Sequence, residues 1–267
     1  MKKFLLSILA VAAVAVSVSA GECGKCCMKK SQPKVIAHRG HWTPEGSAQN
    51  SVRSLVLADS VGAYGSEFDV WMTADSVLVL NHDRDINGIV IQESPAELVL
   101  AQKLSNGENV PTLDAFLDVA KGLGINLVLE LKEHSLPATN IYAATKAVEM
   151  IKEKGLYDRT DYITFSPYAF EQFIKVAPGR EVSFLYDLIL PDRIKELGGT
   201  GIDYNIGHFK NNNELTRECH DMGLKVNIWT VDSPDDINFS IDQGVDYITT
   251  NQPVVCAELI RSRCCKK

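Results

Sequence analysis

Short apolar runs recur along most of the chain, and each run but one is followed by a stretch with helical character. The runs are rich in valine, isoleucine, leucine and aromatic residues, which favours strands over residues 35–37, 66–71, 77–80, 127–131, 162–165, 182–186, 202–206, 226–229 and 247–249. Helices are predicted over residues 51–60, 112–121, 140–154, 167–176, 191–197, 212–222, 234–242 and 254–261, with Asn50, Thr112, Ser166 and Ser233 as capping residues. Strands that alternate with helices indicate a parallel sheet.

One pair of strands breaks the alternation, because residues 70–77 leave no room for a helix and indicate a hairpin. Eight strands remain without the hairpin partner, and they predict a closed (β/α)8 TIM barrel. An open doubly wound sheet is the alternative. The sequence after the first strand, His38-Arg39-Gly40, disfavours that alternative because it is not a glycine-rich phosphate loop. Residues 84–110 are expected to form a small insertion that covers one side of the barrel mouth.

The two ends of the chain predict processing rather than fold. Lys2 and Lys3 precede an apolar run over residues 4–18, and small residues lead to Ala20, which is the pattern of a secretory signal peptide. We expect export to a periplasm or out of the cell, with a cysteine-rich tail over 21–33, the barrel over 34–261 and a short tail over 262–267. A disulfide staple between the tails, a soft-metal site and unpaired thiols all remain open for the cysteines at 23, 26, 27, 264 and 265.

Net charge and hydropathy indicate which kinds of molecule the protein binds. The 267-residue chain has a formal net charge of −7, so it offers no electrostatic footprint for nucleic acid. After residue 20 no run is long and apolar enough to predict stable insertion in a membrane. We therefore expect a small-molecule substrate, and the sequence does not indicate an oligomeric state.

Acidic residues occupy the ends of two predicted strands. Glu67 and Asp69 are two residues apart and face the same side of their strand, and Glu130 lies at the end of a second strand. Catalytic groups of a parallel barrel gather at the carboxyl ends of its strands, so the three carboxylates are expected to converge. A set of oxygen ligands favours Ca²⁺ or Mg²⁺. The alternative is a structural network of these acids with Arg39 and Lys132.

Two histidines lie beside the predicted metal site. His38 ends the first strand, and His82 is placed opposite Glu67 or Asp69 if the hairpin turn centres on residues 74–75 or 75–76. A pair of imidazoles at that position can act as general acid and general base. The other histidines give weaker signals: His41 in the loop after strand one, His134 after the strand of Glu130, His208 at the end of strand six, and His220 on an exposed helical position.

Three further side chains are candidates for substrate contacts. Arg39 and Lys132 bring positive charge and would hold a phosphate, Arg39 as a planar fork and Lys132 as a point charge. Trp229 would pack against an apolar part of the substrate, or it would be an aromatic residue of the barrel core. Together these residues predict metal-assisted phosphoryl hydrolysis.

The motifs, taken in order, are similar to those of the glycerophosphodiester phosphodiesterase family over about residues 35–260. They are Val35-Ile-Ala-His-Arg-Gly40, Ser66-Glu-Phe-Asp-Val70, Val79-Leu-Asn-His-Asp83, Leu129-Glu-Leu-Lys132 and Trp229-Thr-Val-Asp232. The resemblance implies a phosphodiesterase barrel with an insertion after the His-Asp motif. It also implies a Ca²⁺ or Mg²⁺ site from Glu67, Asp69 and Glu130, His38 and His82 as acid and base, and phosphate contacts from Arg39 and Lys132.

The same resemblance implies cleavage of glycerophosphodiesters to glycerol 3-phosphate and an alcohol, through attack by the substrate's own glycerol hydroxyl. One motif departs from the family, whose usual Pro-Glu-Asn-Thr appears here as Ala48-Gln-Asn-Ser51. Gln49 thus replaces an acid near the metal, and Glu45 would substitute for it if the loop bends. Two alternatives remain: a phospholipase C- or D-like barrel with an apolar rim, and a catalytically silent barrel that binds glycerophosphodiesters.

Overall fold

The computed structural model describes residues 32–264, and within them eleven strands alternate with ten α-helices and two short 3-10 turns. The predictions for the signal peptide, for most of the N-terminal tail and for the side chains of the five terminal cysteines lie outside the described residues. The strands are β1 (Lys34–Ala37), β2 (Gly65–Met72), β3 (Leu78–Leu80), β4 (Asp85–Ile86), β5 (Ile89–Val90), β6 (Asn126–Leu131), β7 (Thr160–Thr164), β8 (Val182–Phe184), β9 (Gly201–Asn205), β10 (Lys225–Trp229) and β11 (Tyr247–Thr250).

The helices lie between the strands and on the outside of the sheet. They are α1 (Val52–Ser60), α2 (Ala96–Leu100), α3 (Leu113–Ala120), α4 (Pro137–Glu153), α5 (Pro167–Val176), α6 (Pro191–Leu197), α7 (Ile206–Asn211), α8 (Leu215–Asp221), α9 (Pro234–Gln243) and α10 (Pro253–Cys264). In this part of the chain, no helix is both long and apolar enough to cross a bilayer. Buried Cys219 and Cys256 are free thiols.

The sheet closes on itself and confirms the predicted TIM barrel. Its parallel strands run in the order β1-β11-β10-β9-β8-β7-β6-β2, and β2 pairs with β1 to complete the ring. Inward and outward positions alternate along each strand, as on β2, where Phe68 packs its ring 4.7 Å from that of Phe116 on α3. Glu67 and Asp69 therefore point to the opposite, inner face.

The hairpin differs from the prediction in its turn. β3 pairs antiparallel with the end of β2 in a register that matches Val70 with Leu80 and Met72 with Leu78. The turn centres on Asp75, and Ser76 takes a left-handed φ of 67° to close it. Extension of this register places His82 opposite Phe68, whereas the sequence placed it opposite Glu67 or Asp69.

Two further local predictions were wrong. Ser51, one residue after Asn50, caps α1, since its side chain accepts a hydrogen bond from the Ser54 amide. His208 lies in α7, because β9 ends at Asn205, where the Asn205 side chain caps that short helix. Thr112, Ser166 and Ser233 cap α3, α5 and α9 as predicted.

Residues 84–110 pack on the face of the hairpin that carries Trp71 and Val79, which is the face of β2 that also carries Glu67 and Asp69. The segment contains the β4–β5 pair, a 3-10 turn at Ile91–Glu93 and helix α2. It shares one apolar cluster with the hairpin, which consists of Trp71, Val79, Ile91, Val99 and Val110. Glu108 accepts a hydrogen bond from the Val52 amide at the start of α1, which ties the end of the segment to the loop after β1.

Candidate active site

Three carboxylates meet inside the mouth of the barrel. Asp69 and Glu130 are register partners on the adjacent strands β2 and β6, and Glu67 lies two residues before Asp69 on the same face. One oxygen from each carboxylate lies within 4.8 Å of the others, and all three side chains are buried. The parallel register therefore brings together the three acids that the sequence selected.

Asn50 and two cations hold Asp69 in place. The Asn50 side chain donates to Asp69 Oδ2 (2.8 Å) and accepts from the Asp69 amide (3.0 Å). Lys132 Nζ lies 3.3 Å from Asp69 Oδ1 and 2.6 Å from Glu130 Oε1, and Arg39 Nε lies 3.7 Å from Asp69 Oδ2. Asn50 was predicted only as a helix cap, although it lies inside the Ala48-Gln-Asn-Ser51 motif, and its contacts with Asp69 were not foreseen.

Glu67 is only half satisfied by the protein. Its Oε2 accepts the Arg39 backbone N–H at 2.7 Å, whereas its Oε1 is buried without a hydrogen-bond donor. Such an oxygen is costly to bury unless something positive approaches it. Ion pairs with Arg39 and Lys132, the structural alternative, are present as well. They leave this atom without a partner, so the site fits a hard dication bound by oxygen ligands.

Burial and mutual repulsion shift the pKa values of the three clustered carboxylates. Burial, followed by the charges of Asp69 and Glu130, raises the pKa of Glu67 well above its ordinary value. Burial raises the pKa of Glu130 to about 7, against the opposing effect of Lys132. Burial acts on Asp69 too, but Lys132, His82, Asn50 and Arg39 outweigh it and lower the pKa of Asp69. A dication would relieve this repulsion.

His38 is oriented by residues from the far end of the chain. His38 Nδ1 lies 2.9 Å from Asn251 Oδ1. The Asn251 side-chain NH₂ donates to Asp232 Oδ2 (2.7 Å), so its oxygen must face the imidazole. His38 Nδ1 therefore carries the proton and Nε2 keeps a free lone pair. Burial, followed by the Arg39 charge, lowers the pKa of His38 to about 4.

Asp232 fixes this arrangement through three hydrogen bonds. Its Oδ1 accepts from the Asn251 amide (2.8 Å) and from Thr250 Oγ1 (3.1 Å), in addition to the contact at Oδ2. Trp42 Nε1 also donates to Asn251 Oδ1, at 3.0 Å. No role was predicted for Asn251, and Asp232 was identified only as part of the Trp229-Thr-Val-Asp232 motif. The position of Asn251, directly after the last strand, was the available signal.

His82 follows β3 and is more open to solvent than His38. Its Nδ1 lies 2.7 Å from Asp83 Oδ1, and its side chain is 36% exposed. Burial lowers its pKa, while the charge of Asp69 acts in the opposite direction. The charge of Asp69 acts on the pKa of both histidines, so His38 and His82 both lie near the acidic cluster.

Arg39 reaches two neighbours besides its ion pair. Its backbone has a left-handed φ of 57°, and its Nη1 donates to Gln49 Oε1 at 2.7 Å. Gln49 thus occupies the place of the expected acid as a neutral partner of Arg39. Glu45 is exposed and does not belong to the acidic cluster, so the loop does not bend to bring it there.

Trp229 ends β10 and lines the barrel interior. Its indole Nε1 donates to the Asp203 carbonyl at 2.8 Å, and its ring meets that of Phe165 edge-on at 6.0 Å between centroids. The side chain is half-buried, so it contributes to the apolar cluster inside the barrel and still borders the mouth.

The remaining histidines take structural positions. His134 is buried, and its Nε2 accepts the Met72 amide at 2.9 Å. His41 is buried in the loop after β1. His208 on α7 lies beside the carboxylate of Asp187, and His220 on α8 lies beside that of Asp246. None of these four belongs to the acidic cluster.

Comparisons with known proteins agree with this architecture. The family model of the glycerophosphoryl diester phosphodiesterases matches residues 38–255. A glycerophosphodiester phosphodiesterase of Caldanaerobacter subterraneus subsp. tengcongensis is 28% identical over 242 residues, which cover 85% of this chain and 97% of the relative. The crystal structure of a glycerophosphodiester phosphodiesterase from Parabacteroides distasonis is 47% identical, with a TM-score of 0.86, over 88% of this chain and 99% of that one.

A more distant structure shares the fold. An Oleispira antarctica phosphodiesterase, solved in complex with sn-glycerol-3-phosphate, has a TM-score of 0.75 at 22% identity, over 86% of this chain and 97% of that one. The family match spans the strand ends that carry both histidines and all three clustered acids. The chain belongs to the glycerophosphoryl diester phosphodiesterase family.

Proposed function

We propose that this enzyme hydrolyses glycerophosphodiesters to glycerol 3-phosphate and an alcohol, with a divalent cation held by Glu67, Asp69 and Glu130. The observation that carries the proposal is the convergence of three buried carboxylates, one with an oxygen that no donor reaches. The names of the 47% and 28% identical relatives support the substrate class. When bound, Ca²⁺ or Mg²⁺ would supply positive charge that polarises a non-bridging phosphoryl oxygen.

Arg39 and Lys132 would bind the phosphodiester beside the acids. Both side chains form ion pairs with Asp69, so both line the same site. The guanidinium of Arg39 can donate two parallel hydrogen bonds to phosphoryl oxygens, whereas Lys132 adds a compact charge. Trp229, at the apolar border of the mouth, would pack against the carbon skeleton of the substrate.

The two histidines would divide the proton transfers. His38 holds its proton at Nδ1 toward Asn251, which leaves Nε2 free to accept a proton from the attacking hydroxyl. The attacking group is the substrate's glycerol hydroxyl, and water then opens the cyclic phosphate. His82, paired with Asp83, would deliver a proton to the departing alcohol.

The test is release of glycerol 3-phosphate from glycerophosphocholine by the purified protein. Activity should disappear after chelation and return with Ca²⁺ or Mg²⁺. His38→Ala and His82→Ala should each reduce turnover at least a hundredfold, while His220→Ala, on the outer surface, serves as the matched control. Full activity after exhaustive chelation would contradict the metal role, and normal turnover of both histidine variants would contradict the acid–base assignment. Binding of glycerophosphocholine without hydrolysis would support the catalytically silent alternative.

We also propose that the protein is exported and loses residues 1–20. The support is the pattern of Lys2, Lys3, the following apolar run and the small residues before Gly21. N-terminal sequencing of the protein recovered from an exporting cell should begin at Gly21. An N-terminus at Met1 would contradict the proposal.

A further inference from the structure

A cavity of about 480 Å³ lies between the tip of the β2–β3 hairpin and the start of α4. Its volume is within the range of small-molecule sites, which is about 300–1,000 Å³. We call it the flank cavity and define it by six residues of its wall: Met72, Ser76, Gln92, Ser135, Thr139 and Tyr142.

The flank cavity is separate from the candidate active site. Met72 is an odd number of residues from both Glu67 and Asp69, so it lies on the opposite face of β2. Neither His38 nor His82 borders the cavity, and none of the three clustered acids does. Strand β2 therefore stands between the flank cavity and the acidic cluster, and a ligand in the cavity would not contact the reacting groups.

The wall of the flank cavity carries hydrogen-bonding groups that the protein leaves unused. Gln92 Oε1 accepts the Ser135 amide at 3.0 Å, which fixes the orientation of the Gln92 side-chain amide. Within residues 32–264, the NH₂ of that amide has no acceptor, and the hydroxyl groups of Ser135, Thr139 and Tyr142 have no partner either. Because hydroxyl groups both donate and accept, a ligand with several hydroxyl groups would pair with all four.

The described wall residues leave no charge unpaired in the flank cavity. Glu93 is the one wall residue that is ionised at neutral pH, and Arg84 binds its carboxylate at 2.6 Å. The nearby ammonium group of Lys146 donates to the Ser76 carbonyl at 2.7 Å. A charged ligand would have no counter-ion in the wall, and removing it from water costs more than removing a neutral molecule. These contacts favour a neutral occupant.

An aromatic ring borders the opening of the flank cavity. Tyr142, in the second turn of α4, is 52% exposed, and Leu136, just before that helix, is 64% exposed. An exposed tyrosine ring offers a flat apolar surface beside its polar hydroxyl group. The C–H face of a pyranose ring packs on such a surface, while the hydroxyl groups at its edge form hydrogen bonds. An open-chain polyol such as glycerol has the hydroxyl groups but no such face.

We propose that the flank cavity binds a neutral pyranose sugar, with the apolar face of the sugar on Tyr142 and its hydroxyl groups on Gln92, Ser135 and Thr139. The inference goes beyond the proposed phosphodiesterase function, because this site uses neither the acidic cluster nor a phosphate group. A sugar bound there leaves the mouth of the barrel open to substrate.

The test is an NMR titration of protein that carries ¹³C-labelled methionine methyl groups. The probes are methyl glucoside, methyl galactoside and methyl mannoside, and glycerol is the control ligand. The Met72 methyl group reports on the cavity wall, and Met222, at the end of α8, is the internal control. We expect a pyranoside to shift the Met72 signal with a dissociation constant of roughly 1 mM, whereas glycerol should shift neither signal.

Variants then test where the sugar lies. Tyr142→Ala should weaken sugar binding roughly tenfold, and Thr139→Val, which keeps the shape but removes the hydroxyl group, should weaken it severalfold. Tyr168→Ala, at an exposed tyrosine on α5 outside the cavity wall, is the matched control and should bind the sugar like the parent. All three variants should hydrolyse glycerophosphocholine at the parental rate.

The possible results separate this inference from the proposed function. A Met72 signal that no pyranoside shifts, an equal response to glycerol, or an affinity that Tyr142→Ala leaves unchanged would overturn the inference. Competitive inhibition of glycerophosphocholine hydrolysis by the pyranoside would place the sugar at the barrel mouth, which overturns the inference and leaves the proposed function standing. Sugar binding at the flank cavity by a metal-loaded protein without phosphodiesterase activity would overturn the proposed function alone.

Discussion

Substitution of Asp232 by asparagine should prevent His38 from acting as a base, although Asp232 makes no direct contact with His38 and acts through Asn251. An asparagine at 232 must keep its oxygen toward the Asn251 backbone N–H, because that donor cannot reverse. Its NH₂ then faces the Asn251 side-chain NH₂, at the position where Asp232 Oδ2 accepts a hydrogen bond at 2.7 Å. Asn251 relieves this conflict if its amide flips. The flipped NH₂ then faces His38 Nδ1, and Asn251 loses the hydrogen bond that it accepts from Trp42 Nε1.

The flip reverses the protonation of the imidazole. His38 Nδ1 must accept a hydrogen bond from the flipped amide, so the proton moves to Nε2, the atom that should receive the proton of the attacking hydroxyl. Restoring the active tautomer leaves the imidazole and the flipped amide without this hydrogen bond, which costs about 1–3 kcal/mol, or roughly fivefold to a hundredfold in rate. We expect kcat for glycerophosphocholine to fall by roughly fivefold to a hundredfold. KM should change little, because Asp232 bonds to Thr250 and Asn251 and not to Arg39 or Lys132.

Two measurements check this chain of reasoning. Steady-state kinetics give the split between kcat and KM, and two-bond ¹H–¹⁵N correlation of the imidazole reports which nitrogen carries the proton. Asp235→Asn, an exposed position in the first turn of α9, is the matched control and should behave like the parent. A folded Asp232→Asn protein with parental kcat, or one in which the proton stays on Nδ1, would refute the assignment of His38 as a base oriented through Asn251.

Three other predictions concern charge in the barrel. Ca²⁺ or Mg²⁺ should raise the thermal unfolding midpoint of the metal-free protein, and Glu67→Gln should abolish that rise; an unchanged midpoint in the parent would contradict the metal site. Gln49→Glu should tighten dication binding in calorimetry and raise KM severalfold, because the new carboxylate neutralises Arg39; a lower KM would contradict this balance. Burial raises the pKa of Asp203 to about 8, so its contribution to stability is complete below about pH 4 and disappears as pH rises through 8. Urea titrations should show the free energy of unfolding falling by roughly 3 kcal/mol between pH 5 and pH 7.5 from this group, a slope that Asp203→Asn should remove.

The barrel could be predicted because its evidence is local and repeated. Each of the nine predicted strands is a short apolar run in the sequence. The hairpin after β2 is recognised because two such runs have no space for a helix between them. Glu67 and Asp69 could be assigned to one face because side chains alternate along any strand. Their convergence with Glu130 followed from the barrel itself, since adjacent parallel strands end at the same level.

Turn geometry could not be predicted with the same accuracy. A two-residue turn and a three-residue turn fit the same sequence between Thr73 and Val77, and they shift the strand register by one position. The left-handed conformation of Ser76 selects the longer turn, and this places His82 opposite Phe68. An error of one residue in the turn changes which residue of β2 lies opposite a candidate catalytic side chain.

The helix cap next to the acidic cluster shows a second limit of prediction from sequence. Asn50 and Ser51 are both strong capping residues, and only the position of Asp69 decides between them. The Asn50 side chain forms hydrogen bonds with both the carboxylate and the backbone amide of Asp69, so Ser51 caps the helix instead. A tertiary hydrogen bond thus overrides a local preference at the point where the chemistry needs a fixed carboxylate.

The partner of His38 lies 213 positions away in the sequence, and no local pattern connects the two residues. What brings them together is barrel closure, because β1 pairs with β11 and places the residues that follow both strands side by side. The tautomer of His38 depends on Asn251, whose orientation depends on Asp232 after β10. The protonation state of the first strand's histidine is therefore a consequence of how the last two strands end, and any substitution that loosens β1–β11 pairing should reduce kcat before it unfolds the protein.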